Sequence, residues 1–140
     1  METNSPTTQY LNWDFVIPLQ EESLQAAQEF CHQSFSPEFI EFLKQTNNAI
    51  PPKRSFSIGS NTYHFKNVLN FNTEGKCLFV FFMDTLKEHL QEGEIVFGSD
   101  GYGGYYLLDN TTQKVLFLDT DTYTKTPLLV FEMFVKKLES

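Results

Sequence analysis

Apolar and polar positions are spaced with two different periods along this chain, and the change of period marks its elements. Between Glu94 and Thr122 three short apolar runs, Ile95-Val96-Phe97, Tyr105-Tyr106-Leu107-Leu108 and Val115-Leu116-Phe117-Leu118, are separated by Gly98-Ser99-Asp100-Gly101 and Asp109-Asn110-Thr111-Thr112. Runs this short, rich in β-branched and aromatic residues and bounded by Gly, Asn and Asp, predict consecutive antiparallel strands. The centre of the fold is therefore expected to be a meander.

Upstream, Leu19 to Gln33 carries a helical pattern, with Leu24, Ala27 and Cys31 on one face, Phe30 beside it, and Glu21-Glu22 at the end where a helix dipole favours negative charge. A second helix is signalled by Ser36 as N-cap, Pro37 in the first helical position and a stripe of Phe39, Ile40, Phe42 and Leu43, with Asn47-Asn48 as its stop. Phe56-Ser57-Ile58 and Thr62-Tyr63-His64-Phe65 flank Gly59-Ser60-Asn61 as a hairpin, and Cys77 to Phe82 is apolar throughout, as in a strand covered on both faces. Asp84 is read as the cap of a short helix from Thr85 to Gln91 ending at Gly93. Thr126 and Pro127 are read as the start of a last helix, whose Phe131, Phe134, Val135 and Leu138 fall at i, i+3, i+4 and i+7. Tyr10 to Pro18, with the only tryptophan, is a docking segment or edge strand, and residues 1–9 are a flexible terminus. The fold expected is a single α+β domain over 1–140: a mostly antiparallel sheet with a central meander, two N-terminal helices and a C-terminal helix.

Composition changes this picture in one respect and charge in another. Fifteen Phe and six Tyr among 140 residues mean that the core is built on rings. The formal net charge of −8 excludes nucleic acid and anionic membrane as direct ligands, since phosphate neutralisation needs clustered Lys and Arg, and the ten basic residues are scattered along the chain. A negative field favours encounter with a basic partner, although acidity also serves solubility alone. No apolar run approaches the ~20 residues of a membrane helix. Cys31 and Cys77, in apolar surroundings and without metal-type spacing, predict two reduced, buried thiols in a cytoplasmic protein.

Candidate chemistry is sparse. Gly101-Tyr102-Gly103-Gly104 does not complete a dinucleotide or phosphate loop, because a strand rather than a helix follows, and its glycines are better read as turn residues. Asp119-Thr120-Asp121 opens like a calcium loop, but Thr124 stands where glycine is needed and Val130 where glutamate is needed. His32, His64 and His89 lie in separate elements with no nucleophile beside them. Neither cofactor, metal nor catalytic residue is expected. Asp84, Asp100, Asp109, Asp119 and Asp121 all fall at strand ends or in loops, where several can share one acidic rim, or simply serve the turns' backbone chemistry.

In the order of its elements the chain resembles the SUKH superfamily, which includes bacterial immunity proteins and fungal cell-wall-assembly regulators. The resemblance is carried by the Trp13 segment, by Ser36-Pro37-Glu38-Phe39 with Phe42-Leu43 and Asn47-Asn48, by the run from Ile95 to Asp109 with Lys114-Val115 and Asp119, and by Leu129 to Phe134. It departs at Asn48-Ala49, where the family tends to show Gly-Gly, and at Gly104, where it tends to show Asp or Asn. The resemblance implies an α+β fold, no catalysis and, for bacterial members, neutralisation of a toxin by direct binding in the cytoplasm. With the negative charge, this leads to the expectation of a basic toxin, such as a nuclease, as partner, and the acidic, aromatic-bearing rim of Asp100, Tyr102, Asp119, Asp121 and Tyr123 supplies the candidate residues to meet it. The alternative is a regulatory or scaffolding module that binds a protein unconnected with toxins. An enzyme using the loop carboxylates is a third, less favoured class.

Overall fold

The computed structural model describes residues 10–139, so the terminus assigned to residues 1–9 lies outside the described residues. The elements run α1 (Glu21–Cys31), α2 (Pro37–Thr46), β1 (Ser55–Ile58), β2 (Asn61–His64), β3 (Asn67–Val68), α3 (Phe79–Thr85), a 3₁₀ turn (Lys87–His89), β4 (Glu94–Ser99), β5 (Gly104–Asp109), β6 (Lys114–Asp119), β7 (Thr124–Val130) and α4 (Phe131–Glu139). β1 and β2 form a separate hairpin, while β3-β4-β5-β6-β7 form one sheet in sequence order, antiparallel throughout. The architecture is α+β, with the expected meander extended by a strand on each side.

The sheet is covered on both faces. Tyr106 and Phe97 meet Phe134 and Phe131 of α4, and Phe97 also meets Phe39 of α2, with ring centroids 5.3 to 6.0 Å apart. On the opposite face Tyr105 packs on Phe82 of α3 at 5.5 Å, and the Val96 N–H points at Met83 Sδ. Double coverage explains why Ile95, Val96, Phe97, Leu107 and Leu108 are all fully buried rather than alternating. α2 begins as its cap residues predict: Ser36 Oγ accepts the Phe39 N–H at 3.2 Å, with Pro37 behind it. Trp13 is buried edge-on to Phe42, its Nε1–H donates to Glu139, and its segment makes one isolated antiparallel bridge, between Asp14 and Ile50.

Three expected elements are corrected. The Cys77–Phe82 run is not a central strand: Phe79–Thr85 is helical, its Phe79 stacked on Phe71 at 4.2 Å while Phe81 lies mostly exposed. Continuous apolarity marks burial but carries no period, so it does not separate strand from helix. Asp84 consequently lies inside α3 instead of capping a Thr85–Gln91 helix, and only the 3₁₀ turn Lys87–His89 follows. Thr126-Pro127 do not open the last helix either; they belong to β7. Pro127 is tolerated there because β7 is an edge strand and its pairing with β6 is shifted between Lys114 and Leu116, so a missing N–H interrupts no regular ladder. The helix starts at Phe131, with Phe131, Phe134, Val135 and Leu138 buried as expected. A fourth correction concerns the thiols: Cys31 is half-buried and Cys77 exposed, both free. No described helix is long and apolar enough to cross a membrane.

Candidate functional site

The β4–β5 and β6–β7 turns lie at the same end of the sheet, because antiparallel pairing sets Gly104 opposite Asp119. They are also fastened to each other. Thr120 donates to the Gly103 carbonyl twice, from its backbone N–H at 3.1 Å and from Oγ1 at 2.6 Å. Asp100, Tyr102, Asp119, Asp121 and Tyr123 are thereby brought to one end of the molecule. Asp109 belongs to the opposite end, and Asp84 sits on α3 in an exposed pair with Lys87, so neither joins this rim.

Each turn is built on an aspartate. Asp100 Oδ1 accepts the N–H groups of Tyr102 and Gly104, both at 2.7 Å, and Asp119 Oδ1 accepts the Asp121 N–H at 2.9 Å. Asp109 repeats the device at the far end, accepting from Thr111 and Thr112. Acidic side chains at strand ends are used first to satisfy turn backbone, and their charge is carried along with that role. Asp100 also pushes the Tyr105 and Tyr106 phenols above their usual range, though burial is the larger cause for both. At Gly104 a Cβ would run into the Phe117 ring and lie 2.5 Å from the Asp100 carboxylate, so this turn leaves no room for a side chain there.

The two tyrosines are presented differently. Tyr102 is 82% exposed at the tip of its turn, with its ring edge-on to His64 at 6.2 Å. Tyr123 lies flat on His89, centroids 3.6 Å apart and planes 13° apart. The 3₁₀ turn that carries His89 is positioned from below: Glu94 Oε1 accepts both the Gln91 N–H at 2.9 Å and the Lys125 ammonium at 2.6 Å. That half-buried pair ties β7 to the segment leading into β4, so Tyr123 is held as a platform and Tyr102 projects as a free ring.

Three residues outside the five partner-binding candidates stand beside Tyr102. Arg54, His64 and Lys66 line a cleft of about 330 Å³ with Asp100, Gly101 and Tyr102. The signal was present in the hairpin: closing β1 on β2 brings residues just before and just after it together, and the Phe65 N–H donates to the Arg54 carbonyl at 2.8 Å. Among the described residues no group of three or more His, Cys, Asp or Glu is arranged to hold a metal ion.

The meander, packed by α2 and α4 on one face and α3 on the other, presents its paired turns at one end. Residues 18–137 match the SMI1 / KNR4 family (SUKH-1), and the chain belongs to that family, whose members are immunity or regulatory proteins. No curated protein gives a significant match to the sequence.

Proposed function

We propose that this protein is an immunity factor that binds a cognate basic toxin, a nuclease by preference, in the cytoplasm and blocks it without catalysis. The observation that carries this reading is the fastening of the two turns through Thr120 and Gly103, which holds the turns bearing Asp100, Tyr102, Asp119, Asp121 and Tyr123 together at one end of the sheet. Asp100 and Asp119 hold the turns, Asp121 and Asp119 supply the field, and Tyr102 and Tyr123 supply apolar contact area. Family membership and the net charge of −8 support the same reading, since nuclease sites that hold phosphate are basic.

The test is co-expression with the toxin domain encoded beside the gene, followed by stopped-flow binding of the purified pair. Rescue of growth is expected, with association that slows as salt rises. Asp119→Asn with Asp121→Asn is expected to lower the on-rate, whereas Tyr102→Ala raises the off-rate. Failure to rescue, with host proteins unrelated to any toxin retained on the immobilised chain, would instead assign a regulatory module.

A further inference from the structure

Arg54 is the only arginine in the chain, and on a protein of net charge −8 it sits beside Lys66 in one cleft. Neither cation forms an ion pair among the described residues, whereas Lys44, Lys87 and Lys125 are each matched with a carboxylate. The scaffold aims them together. The hairpin ladder Ser55↔His64 sets Arg54 against Phe65, and the Lys66 N–H donates to the Ser99 carbonyl at 2.7 Å, fixing that residue to the end of β4.

The neighbouring turn completes the cleft. Gly101 has φ +82, and a Cβ there would lie 3.0 Å from Lys66 Cδ, so the bare glycine lets the lysine stem lie along the turn. His64 Nδ1 is 2.9 Å from Ser55 Oγ, and the His64 carbonyl accepts the Tyr106 hydroxyl at 2.5 Å, which leaves the imidazole edge toward the exposed Tyr102 ring. One carboxylate, Asp100, shares the lining, but its Oδ1 is already occupied by two backbone N–H groups. Two unmatched cations against one engaged carboxylate leave the cleft positive on an otherwise acidic molecule.

We propose that this cleft receives an acidic segment of a protein partner, with a Glu or Asp carboxylate held between Arg54 and Lys66 and the adjoining chain laid against Tyr102. A guanidinium fork and an ammonium are suited to a single planar carboxylate. Nucleic acid is disfavoured, because it would bring many phosphates to a cleft lined by two cations on a chain of net charge −8. The rim at Asp119 and Asp121 then attracts a basic patch of the partner while this cleft takes an acidic one, and opposite signs side by side fix the orientation of docking. The inference shares Asp100 and Tyr102 with the surface proposed above, and its account of docking orientation rests on that reading.

The experiment needs no toxin, so its outcome is separable from the rescue test. The ¹⁵N-labelled full chain is titrated with the capped peptide acetyl-Gly-Glu-Glu-Gly-amide, with its Gln-Gln analogue, and with inorganic phosphate. The expected result is a saturable shift at the Arg54 side-chain and Lys66, Gly101 and Tyr102 backbone amides with the Glu peptide alone. Arg54→Gln with Lys66→Gln weakens it at least about tenfold, whereas Lys114→Gln, an exposed cation at the opposite end of the sheet, leaves it unchanged. Absence of a saturable shift at ~10 mM peptide overturns the proposal, as does an equal response to the Gln-Gln analogue. Saturation by phosphate in place of the Glu peptide also overturns it, assigning the cleft to a small phosphate.

Discussion

The side-chain amides of Asn47 and Asn70 meet inside the protein, Asn47 Nδ2 donating to Asn70 Oδ1 at 3.0 Å. Asn47 follows the last residue of α2, and its remaining polar atoms are also engaged: Nδ2 donates to the Ile17 carbonyl at 3.1 Å and Oδ1 accepts the Phe71 N–H at 2.7 Å. Asn70 Oδ1 accepts in addition from the Asn72 N–H at 2.9 Å. A single buried residue therefore joins the segment after Trp13, the end of α2 and the loop leading to α3.

Asn47→Ala leaves a buried N–H, a carbonyl and the Asn70 amide oxygen without this partner. Unsatisfied buried groups cost about 1–3 kcal/mol each, so a loss of about 2–5 kcal/mol is expected in denaturant melts. Asn47→Asp keeps the acceptor for Phe71 but sets a carboxylate against Asn70 Oδ1, and it should also destabilise. A loss under about 1 kcal/mol for the alanine variant would show that the network closes without it.

Phe134 tests the packing of α4 on the sheet. Its ring is fully buried and contacts Phe56, Phe65, Phe97 and Tyr106. Phe134→Ala should cost about 3–5 kcal/mol, whereas Met133→Ala, at a position 53% exposed on the same helix, should stay within about 0.5 kcal/mol. Equal effects of the two substitutions would mean that the helix is rotated.

The two thiols should differ sharply in reactivity. Burial pushes the Cys31 thiol up to about 11, while Cys77 is exposed in the loop before α3. A raised thiol holds less thiolate at neutral pH and a half-buried one is less accessible, so iodoacetamide should label Cys77 first and Cys31 at least about tenfold more slowly. Comparable labelling rates, read by mass spectrometry, would contradict the seat of α1.

Tyr10 makes stability depend on alkaline pH. Burial, reinforced by Glu139, Glu38 and Glu41, holds its phenol up at about 12, so the folded state resists an ionisation that the unfolded chain undergoes near 10. A folded-state pKa above the unfolded one contributes stability that is intact below ~10 and is lost as pH rises toward ~12. Tyr10→Phe should remove that component, flattening the fall in stability between pH ~9 and ~11.5 measured by urea titration. An unchanged slope would place the ring in solvent.

What the sequence determined by itself is local. Ser36-Pro37 dictates the start of α2 because a cap oxygen and a fixed φ act within one turn, and Gly, Asn and Asp dictate the meander's turns for the same reason. The stripe of Phe131, Phe134, Val135 and Leu138 was legible because its period is helical. Tertiary structure decided what has no local signature. Cys77–Phe82 could satisfy burial as strand or helix, and the structure has Phe79–Thr85 as a helix that sets Phe82 on Tyr105 and Met83 against the Val96 N–H of β4. Thr126-Pro127 read as a helix start, but the free edge of β6 offered a ladder, and a shifted edge pairing is where proline costs least. The site divides in the same way. Asp100, Tyr102, Asp119, Asp121 and Tyr123 were legible as turn residues, and only the register of β5 on β6 sets their turns side by side. Arg54 and Lys66 are twelve positions apart and looked scattered; hairpin closure makes them neighbours, because pairing two strands joins the ends that the sequence keeps apart.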